Sequence, residues 1–577
     1  MIDAAARTHT ISPRAALLYI LAVGAALFAV RLAGPADFLA NDQLKPIAYI
    51  NDVLQFCEWI CQTVFSGAIT SKPPLYTWIA ELASLPFGGL SRFSLYLPCA
   101  AGIIGAALLC WRFARVRFGE SAGVFAAAAL LLSTYGAKHI ALARTDALFI
   151  FTATLAALLG YAAWIRGRGW TWFWLACALA TLTKGPLGLV IASGGLLAVL
   201  WERKSAEPAP LRGRHWLGVA LFLIICGGWF FLAWLDRGQA LIDKMLGREL
   251  MNHAVAGNEG QIPFIGFPKP SLYFLSRFLP WSILAAIGFW RVARRPAADA
   301  AERRFERYLF CWFFAGLILF SLAAAQRGDH LMPILPAAAM LAGRELDRLL
   351  RLRSPAMFWG ASISAAVIVI AGFGYYYNVA RLDDREVRAS IGVSNLAEQI
   401  RAECNGVVPT VNIDDRYALQ SELGTLWRPI EVDRAADLLV SDHQVIVSTR
   451  AWEALEAAVI ARGGSMHRIA SWDPRGESAE TPHVSIFSNR PTFPDDGDLA
   501  AAAGPLDIFT SGSRLLRAEF GTLIFRIEDE ASTVRFTNRS DARVEVRLRM
   551  DGAAAPNRMR FHLAPNETRE VEFERRD

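Results

Sequence analysis

The chain has 577 residues, of which 54% are hydrophobic and only 19% charged, with a net charge of +6. An ordinary soluble domain is about 45–50% apolar and about 25% charged, so a wholly water-soluble protein is excluded. The positive balance calls for no nucleic acid, because much of the surplus falls in short loops between apolar runs.

From about residue 14 to residue 378, apolar runs of roughly 18–22 residues recur, each long enough to cross a hydrocarbon core of about 30 Å. Eleven spans are expected, centred near residues 23, 101, 130, 155, 176, 193, 224, 281, 315, 338 and 367. The first begins at Ala15 and lacks a small-residue cleavage site, which predicts a retained span and not a removed signal peptide. Lys and Arg are denser in alternate loops: Arg112, Arg115 and Arg117; Arg166 and Arg168; Arg203, Lys204, Arg212 and Arg214; Arg291, Arg294, Arg295, Arg303, Arg304 and Arg307; Arg344, Arg348, Arg351 and Arg353. By the positive-inside rule these loops and the N-terminus are cytoplasmic. An odd number of spans then puts the C-terminal region outside.

Two external loops are long. In the first, 34–92, Ile47, Ile50 and Leu54 recur at helical spacing. A second helical pattern follows Lys72-Pro-Pro74, with Leu75, Trp78, Ile79 and Leu82 on or near one face. Both are short enough to lie along the membrane interface, and Trp59, Tyr76 and Trp78 suit headgroup depth. The second loop, 236–271, is helical to about His253. It then becomes Gly- and Pro-rich without periodicity, as in a linker or gating loop.

Beyond residue 380 no apolar run of spanning length occurs. Residues 381–491 mix helical patterns with short strands, as in a small α/β domain, and 505–577 alternate as β-strands. The Pro-, Asp-, Gly- and Ala-rich stretch from Pro491 to Gly504 is the expected hinge. The fold class is therefore a polytopic α-helical membrane protein with interfacial helices and a C-terminal soluble α/β plus β region.

Polar residues collect at the external ends of several spans: Asp42, Gln43 and Lys45; Lys72; Arg144 and Asp146; Lys184; and Gln326-Arg-Gly-Asp-His330. Taken singly each has a plainer account. Asp42 can cap a helix, Arg144 and Asp146 can form a surface pair of little energy, and Lys72 and Lys184 can snorkel. Together they supply carboxylates and cations at one depth on one side, which suits a phosphorylated lipid substrate. A carboxylate can take a proton from a nucleophile, and lysines can stabilise charge growing on a departing phosphate. Lys72 also precedes a helix N-terminus, whose free N–H groups favour anions.

These motifs resemble the GT-C family of polyprenyl-phosphate-sugar glycosyltransferases, especially the bacterial 4-amino-4-deoxy-L-arabinose lipid A transferases and the protein O-mannosyltransferases. The likeness covers about residues 14–350. It rests on Asp42 after the first span, Lys72-Pro-Pro74, Thr145-Asp-Ala-Leu148, Leu182-Thr-Lys-Gly-Pro186, Leu279-Pro-Trp-Ser282 and Asp329-His-Leu-Met-Pro-Ile-Leu-Pro336.

The resemblance implies a catalytic carboxylate at Asp42 and a second at Asp146, and a lipid phosphate held by Lys72 and Lys45. Lys184 and Arg144 complete the phosphate-binding set, and His253, His330, Gln43 and Tyr76 belong to the pocket. The chain departs from the family pattern at Gln43, where an acid is usual, at Lys45-Pro46, and at Ser71, which stands where a glutamate is often found. No cofactor is required and no metal is expected.

The expected partners are the membrane, a polyprenyl-phosphate-linked sugar donor and a lipid or glycan acceptor. The expected location is the bacterial inner membrane, with 1–380 as the transmembrane domain and the C-terminal domains periplasmic. Lipid A or another glycolipid is the favoured acceptor, ahead of protein or polysaccharide. A transporter or flippase would place ionisable residues at mid-span, and the span centres Phe125 to Leu132 and Leu217 to Phe222 have none.

Overall fold

The computed structural model describes residues 11–38, 43–64, 67–205, 207–250, 267–323, 326–350, 354–412, 418–423, 429–450, 452–472, 484–493, 498–554 and 557–576. The chain forms two compact units. One comprises Met1–Gly34, Ser71–Ala80 and Arg92–Ala380; the other comprises Pro35–Thr70, Glu81–Ser91 and Arg381–Asp577.

In the first unit the apolar runs become helices α1 (Pro13–Ala33), α4 (Arg92–Phe118), α5 (Glu120–Leu131), α6 (Thr134–His139), α7 (Thr145–Arg166), α8 (Trp170–Lys184), α9 (Leu187–Glu202) and α10 (Trp216–Arg237). They continue as α11 (Lys269–Arg277), α12 (Trp281–Arg294), α13 (Ala300–Leu322), α14 (Leu335–Leu350) and α15 (Pro355–Asn378). Helices α2 (Leu44–Phe56) and α3 (Leu75–Ser84) arise from the first external loop. The division between the units passes through α3.

All eleven expected centres fall on helices, but the helices are unequal. Among the described residues six are long and apolar enough to cross a membrane, or seven if α11 and α12, bent by 118° at a short break, count as one. The expected count of eleven is not reached by that measure. Helices α5 and α8 have 12 and 15 residues, and 16-residue α14 carries Arg344, Glu345 and Arg348. At 1.5 Å per residue these are too short to span about 30 Å unaided. Large apolar side chains point outward, with Ile224 of α10 67% and Ile368 of α15 70% exposed within the protein, as lipid-facing positions require.

Close helix approach shapes the centre of this unit. A Cβ at Gly102 of α4 would lie 2.2 Å from the Ala147 carbonyl oxygen of α7, and one at Gly343 of α14 would lie 2.5 Å from the Ala126 nitrogen of α5. Small residues thus let backbones touch where larger ones would hold them apart.

The second unit contains three sheets. A four-stranded sheet has the order β1-β3-β5-β4, from Thr410–Val411, Val447–Thr449, Val484–Ser488 and His467–Trp472. A five-stranded sheet has the order β13-β10-β7-β6-β2, built from Thr568–Glu574, Ala531–Asn538, Leu506–Ser511, Leu499–Ala503 and Gln444–Val445. The third, β12-β11-β9-β8, uses Arg558–Leu563, Val544–Asp551, Thr522–Ile527 and Ser513–Glu519. Phe525, Val546 and Leu548 of the third sheet share one core with Val534, Phe536 and Phe573 of the five-stranded sheet.

Part of the expected hinge is therefore a strand. Leu499–Ala503 is buried throughout and lies between β7 and β2. Its alanines are small because both faces are covered, not because the segment is a linker. Strand β2 pairs in parallel with β6, so residues 381–491 and 505–577 share a sheet.

The first external loop belongs to this second unit as well. The Phe520 and Gly521 N–H groups, in the β8–β9 turn, donate to the Leu54 and Gln55 carbonyls of α2. Leu44 packs against the cluster containing Val393, Ile400 and Ile486, and Arg381 pairs with Asp37 at 3.0 Å.

Candidate functional site

Two helix ends meet in the first unit. Asp146 lies in the first turn of α7, where unpaired N–H groups and the helix dipole favour a carboxylate. Lys184 lies in the last turn of α8, where the dipole favours a cation. Helix α8 stops there because Gly185 takes a φ of +81°, open to glycine at no steric cost, and Pro186 cannot continue the ladder. The Leu-Thr-Lys-Gly-Pro motif thus delivers one lysine at a defined terminus.

The Lys184 ammonium bonds directly to Asp146 Oδ1. The Arg144 Nε lies 3.1 Å from Asp146 Oδ2, and its Nη1 donates to Asp329 Oδ2 at 3.2 Å. Lys138 Nζ reaches the same Asp329 oxygen at 3.3 Å, and His139 Nε2 lies 3.7 Å away. Asp146 is 3% exposed, while the Lys184 and Arg144 side chains keep 15% and 19% exposure. The acid is enclosed, and both cations retain a face that a ligand can meet.

Asp329 lies outside the spans, in the 3-10 turn Gly328–Ile334. Burial pushes its pKa up, but His139, Lys138 and Arg144 outweigh burial and hold it well below the usual carboxylate range. The His139 contact, at 3.7 Å, is too long for a good hydrogen bond. The buried His139 ring itself is oriented by a 2.9 Å contact between Nδ1 and the Tyr135 carbonyl.

The structure brings together Asp146, Lys184 and Arg144. Lys72 lies half-buried just before α3. Two residues into that helix, the Tyr76 hydroxyl donates to the Leu95 carbonyl at 2.8 Å and lies 4.0 Å from Cys99 Sγ. Cys99 in turn contacts the Arg144 carbonyl at 3.6 Å. Tyr76 is thus buried and positions α3 beside the segment leading to Asp146. His330 follows Asp329 directly, half-buried, with its ring 6.3 Å from that of Phe320.

Gln43 and Lys45 belong to the second unit. Gln43 is buried, and its Nε2 donates to the Asp37 carbonyl at 2.9 Å; Lys45 is exposed. Asp42 and His253 lie outside the described residues. Among the described residues no group of three or more His, Cys, Asp or Glu is placed to hold a metal ion.

Sequence reading missed Lys138 and His139. Both sit on six-residue α6, which merges with the end of the third apolar run. The available signal was two adjacent basic residues at the same end of the bundle as Arg144. It also missed a second ion network, in which Arg344 bonds Glu306 and lies 2.8 Å from Glu345. That network joins α13 to α14 and has a structural account.

Comparison with known proteins sets these motifs in context. Residues 71–231, which carry Lys72, Asp146 and Lys184, match the family described as dolichyl-phosphate-mannose-protein mannosyltransferase. The chain resembles the GT-C polyprenyl-phosphate-sugar glycosyltransferases. An undecaprenyl phosphate-alpha-4-amino-4-deoxy-L-arabinose arabinosyl transferase of Pseudomonas aeruginosa is 27% identical over 334 residues, covering 55% of this chain and 58% of its own. An uncharacterised Aquifex aeolicus protein is 25% identical over 292 residues, covering 48% of this chain and 54% of its own. The chain thus spans little more than half the length of these relatives. The crystal structure of ArnT from Cupriavidus metallidurans bound to undecaprenyl phosphate superposes with a TM-score of 0.61 at 18% identity, covering 83% of this chain and 99% of that one. At that identity the likeness concerns the fold: a GT-C, ArnT-like helical domain with a C-terminal β-sheet region.

Proposed function

We propose that this chain is a membrane glycosyltransferase that moves a sugar from a polyprenyl-phosphate donor, of the undecaprenyl type, to a cell-envelope acceptor. The observation that carries the reading is the enclosed Asp146 carboxylate held between Lys184 and Arg144, within the segment that matches the mannosyltransferase family. The reaction occurs on the periplasmic side of the inner membrane, and lipid A or another glycolipid is the favoured acceptor.

In the transfer the anomeric carbon–oxygen bond to the phosphate breaks and a new bond to an acceptor oxygen forms. Polyprenyl phosphate leaves. Lys184, Arg144 and Lys72 meet the charge that grows on the departing phosphate. Asp42 receives the proton of a hydroxyl acceptor, or steadies positive charge on the sugar when the acceptor is already an anionic phosphate. Asp146, neutralised on both sides by cations, keeps those cations in place. Burial of the polyprenyl tail among apolar helices contributes about 0.8 kcal/mol per CH₂.

The test is mass spectrometry of lipid A and other envelope glycolipids from cells carrying wild type, Asp42→Asn, Lys72→Ala or Asp146→Asn. Loss of one sugar-sized mass in all three variants, with each protein still in the membrane, is the expected result and names the acceptor. A sugar missing instead from glycoprotein or polysaccharide keeps the transferase and replaces the acceptor. Unchanged glycans of every class in all three variants would remove these residues from catalysis.

A further inference from the structure

At the opposite end of α9 from Lys184, a cavity of about 530 Å³ is lined by Leu197, Leu200, Trp201, Lys204 and Arg307. That volume is within the ordinary range of ligand pockets, about 300–1,000 Å³. Its walls differ in kind. Leu197 and Leu200 are 51% and 55% exposed within the protein, so one side is apolar and open. The other side is cationic.

Arg307 of α13 is held in place by Glu202, with Nη1 donating to Oε1 at 2.7 Å, and its guanidinium lies 4.9 Å from the centre of the Trp201 ring. Its Nε is buried and has no hydrogen-bond acceptor among the described residues. The fully buried Glu202 carboxylate is also approached by Arg303 at 3.7 Å and Arg304 at 3.8 Å. One carboxylate therefore serves three guanidinium groups, and Glu207 is the only other acid paired in the cluster among the described residues. Exposed Lys204 makes no ion pair among the described residues. Positive charge is left over at the mouth of an apolar groove.

We propose that this cavity binds the headgroup of an anionic phospholipid. The phosphodiester would meet Lys204 and the Arg307 guanidinium that lines the cavity, the acyl chains would cover Leu197 and Leu200, and Trp201 would sit at headgroup depth, where indole rings collect. A small soluble anion would satisfy the cations and leave the leucines in water. Basic pockets between spanning helices on the cytoplasmic side suit such headgroups. The Arg and Lys distribution assigns the Arg203–Lys204 loop to that side. The inference rests on the helices spanning a bilayer and not on the transferase reading.

The test uses the full-length chain purified in mild detergent, with native mass spectrometry after addition of phosphatidylglycerol or phosphatidylcholine. Wild type is expected to retain phosphatidylglycerol preferentially. Lys204→Gln is expected to weaken that retention about fivefold, the effect of one cation near an anionic headgroup, and Lys204→Arg to keep it. Lys204→Gln with Leu200→Asn should weaken it further, leaving the fold intact because both side chains are exposed. Lys184→Ala should leave it unchanged. Equal retention of the two lipids would overturn the proposal. So would retention unaltered by the Lys204 and Leu200 changes, or displacement of the lipid by inorganic phosphate alone. A loss seen only with Lys184→Ala would place the lipid elsewhere. Failure of the transferase reading would appear in the glycolipid masses and leave this result untouched.

Discussion

Glu81, on α3, has both carboxylate oxygens buried without a hydrogen-bond partner among the described residues. Burial, reinforced by the nearby charge of Glu519, raises its pKa from 4.5 to about 8. Cys57, whose own pKa burial raises, also feels the Glu81 charge. Between pH 4.5 and about 8 the folded state holds a proton that the unfolded state releases, so stability falls as pH rises through this window. The slope is about 1.4 kcal/mol per pH unit at most. Scanning fluorimetry of Glu81→Gln and wild type should give similar melting temperatures at pH 5. The variant should be the more stable at pH 8.5. A constant difference across that range would mean that Glu81 is ionised throughout. Glu81 was not legible as a special residue, because its spacing fits the polar side of an interfacial helix. Only tertiary packing encloses it. Asp146 and Lys184 were legible because their motifs mark helix ends, where charge has a physical reason to be.

At the scale of elements, the position of Asp146 depends on how closely α4 can approach α7. Gly102 faces the Ala147 carbonyl, one residue beyond the acid, and a Cβ there would stand 2.2 Å from that oxygen. Gly102→Val therefore has to separate the two helices or displace the first turn of α7. Overpacking of this kind costs about 1–3 kcal/mol, and on the proposed function a shift of about 1 Å in Asp146 and the cations it holds would cost about 100-fold in rate. The variant should insert and fold with a modestly lowered melting temperature and lose most sugar transfer in the glycolipid assay. Wild-type transfer by Gly102→Val would mean that the α7 terminus is not positioned by α4. This contact was not readable in advance. Helix existence follows from apolar runs, but which glycine of α4 faces which neighbour depends on helix rotation. For the same reason the span centres were legible and the lengths were not: α5, α8 and α14 are short helices embedded in long apolar stretches. In the C-terminal region the alternation over Thr522–Ile527, Thr533–Thr537, Val544–Leu548 and Arg569–Phe573 marked four strands, and three of them run on in the structure, as Ala531–Asn538, Val544–Asp551 and Thr568–Glu574. Leu499–Ala503 escaped because a strand covered on both faces does not alternate.

The whole molecule does not follow the order of its sequence. A boundary at residue 380 separates the apolar region from the charged one, yet Pro35–Thr70 and Glu81–Ser91 group with the residues beyond it. The reason is chemical. The last carbonyls of α2 have no partner within their own helix, and the β8–β9 turn supplies two N–H donors for Leu54 and Gln55. Leu44 finds its apolar neighbours among residues from Val393 to Ile486, and Asp37, itself buried, finds Arg381. A chain ending at residue 380 would leave all three needs unmet. Its spans should still insert, since their apolar length is unchanged, but the 35–70 segment that bears Gln43 and Lys45 should lose its fixed shape. Limited proteolysis is expected to cleave the truncated chain within 35–70 at concentrations that leave the full chain intact, and sugar transfer should fall with it. Arg381→Ala in the full chain gives a milder test, because it removes one buried pair and leaves the β8–β9 bonds in place. It should increase cleavage without abolishing transfer. If the truncated chain resists cleavage and transfers sugar normally, the C-terminal region does not hold the loop, and its place in the protein must be sought in contact with the acceptor.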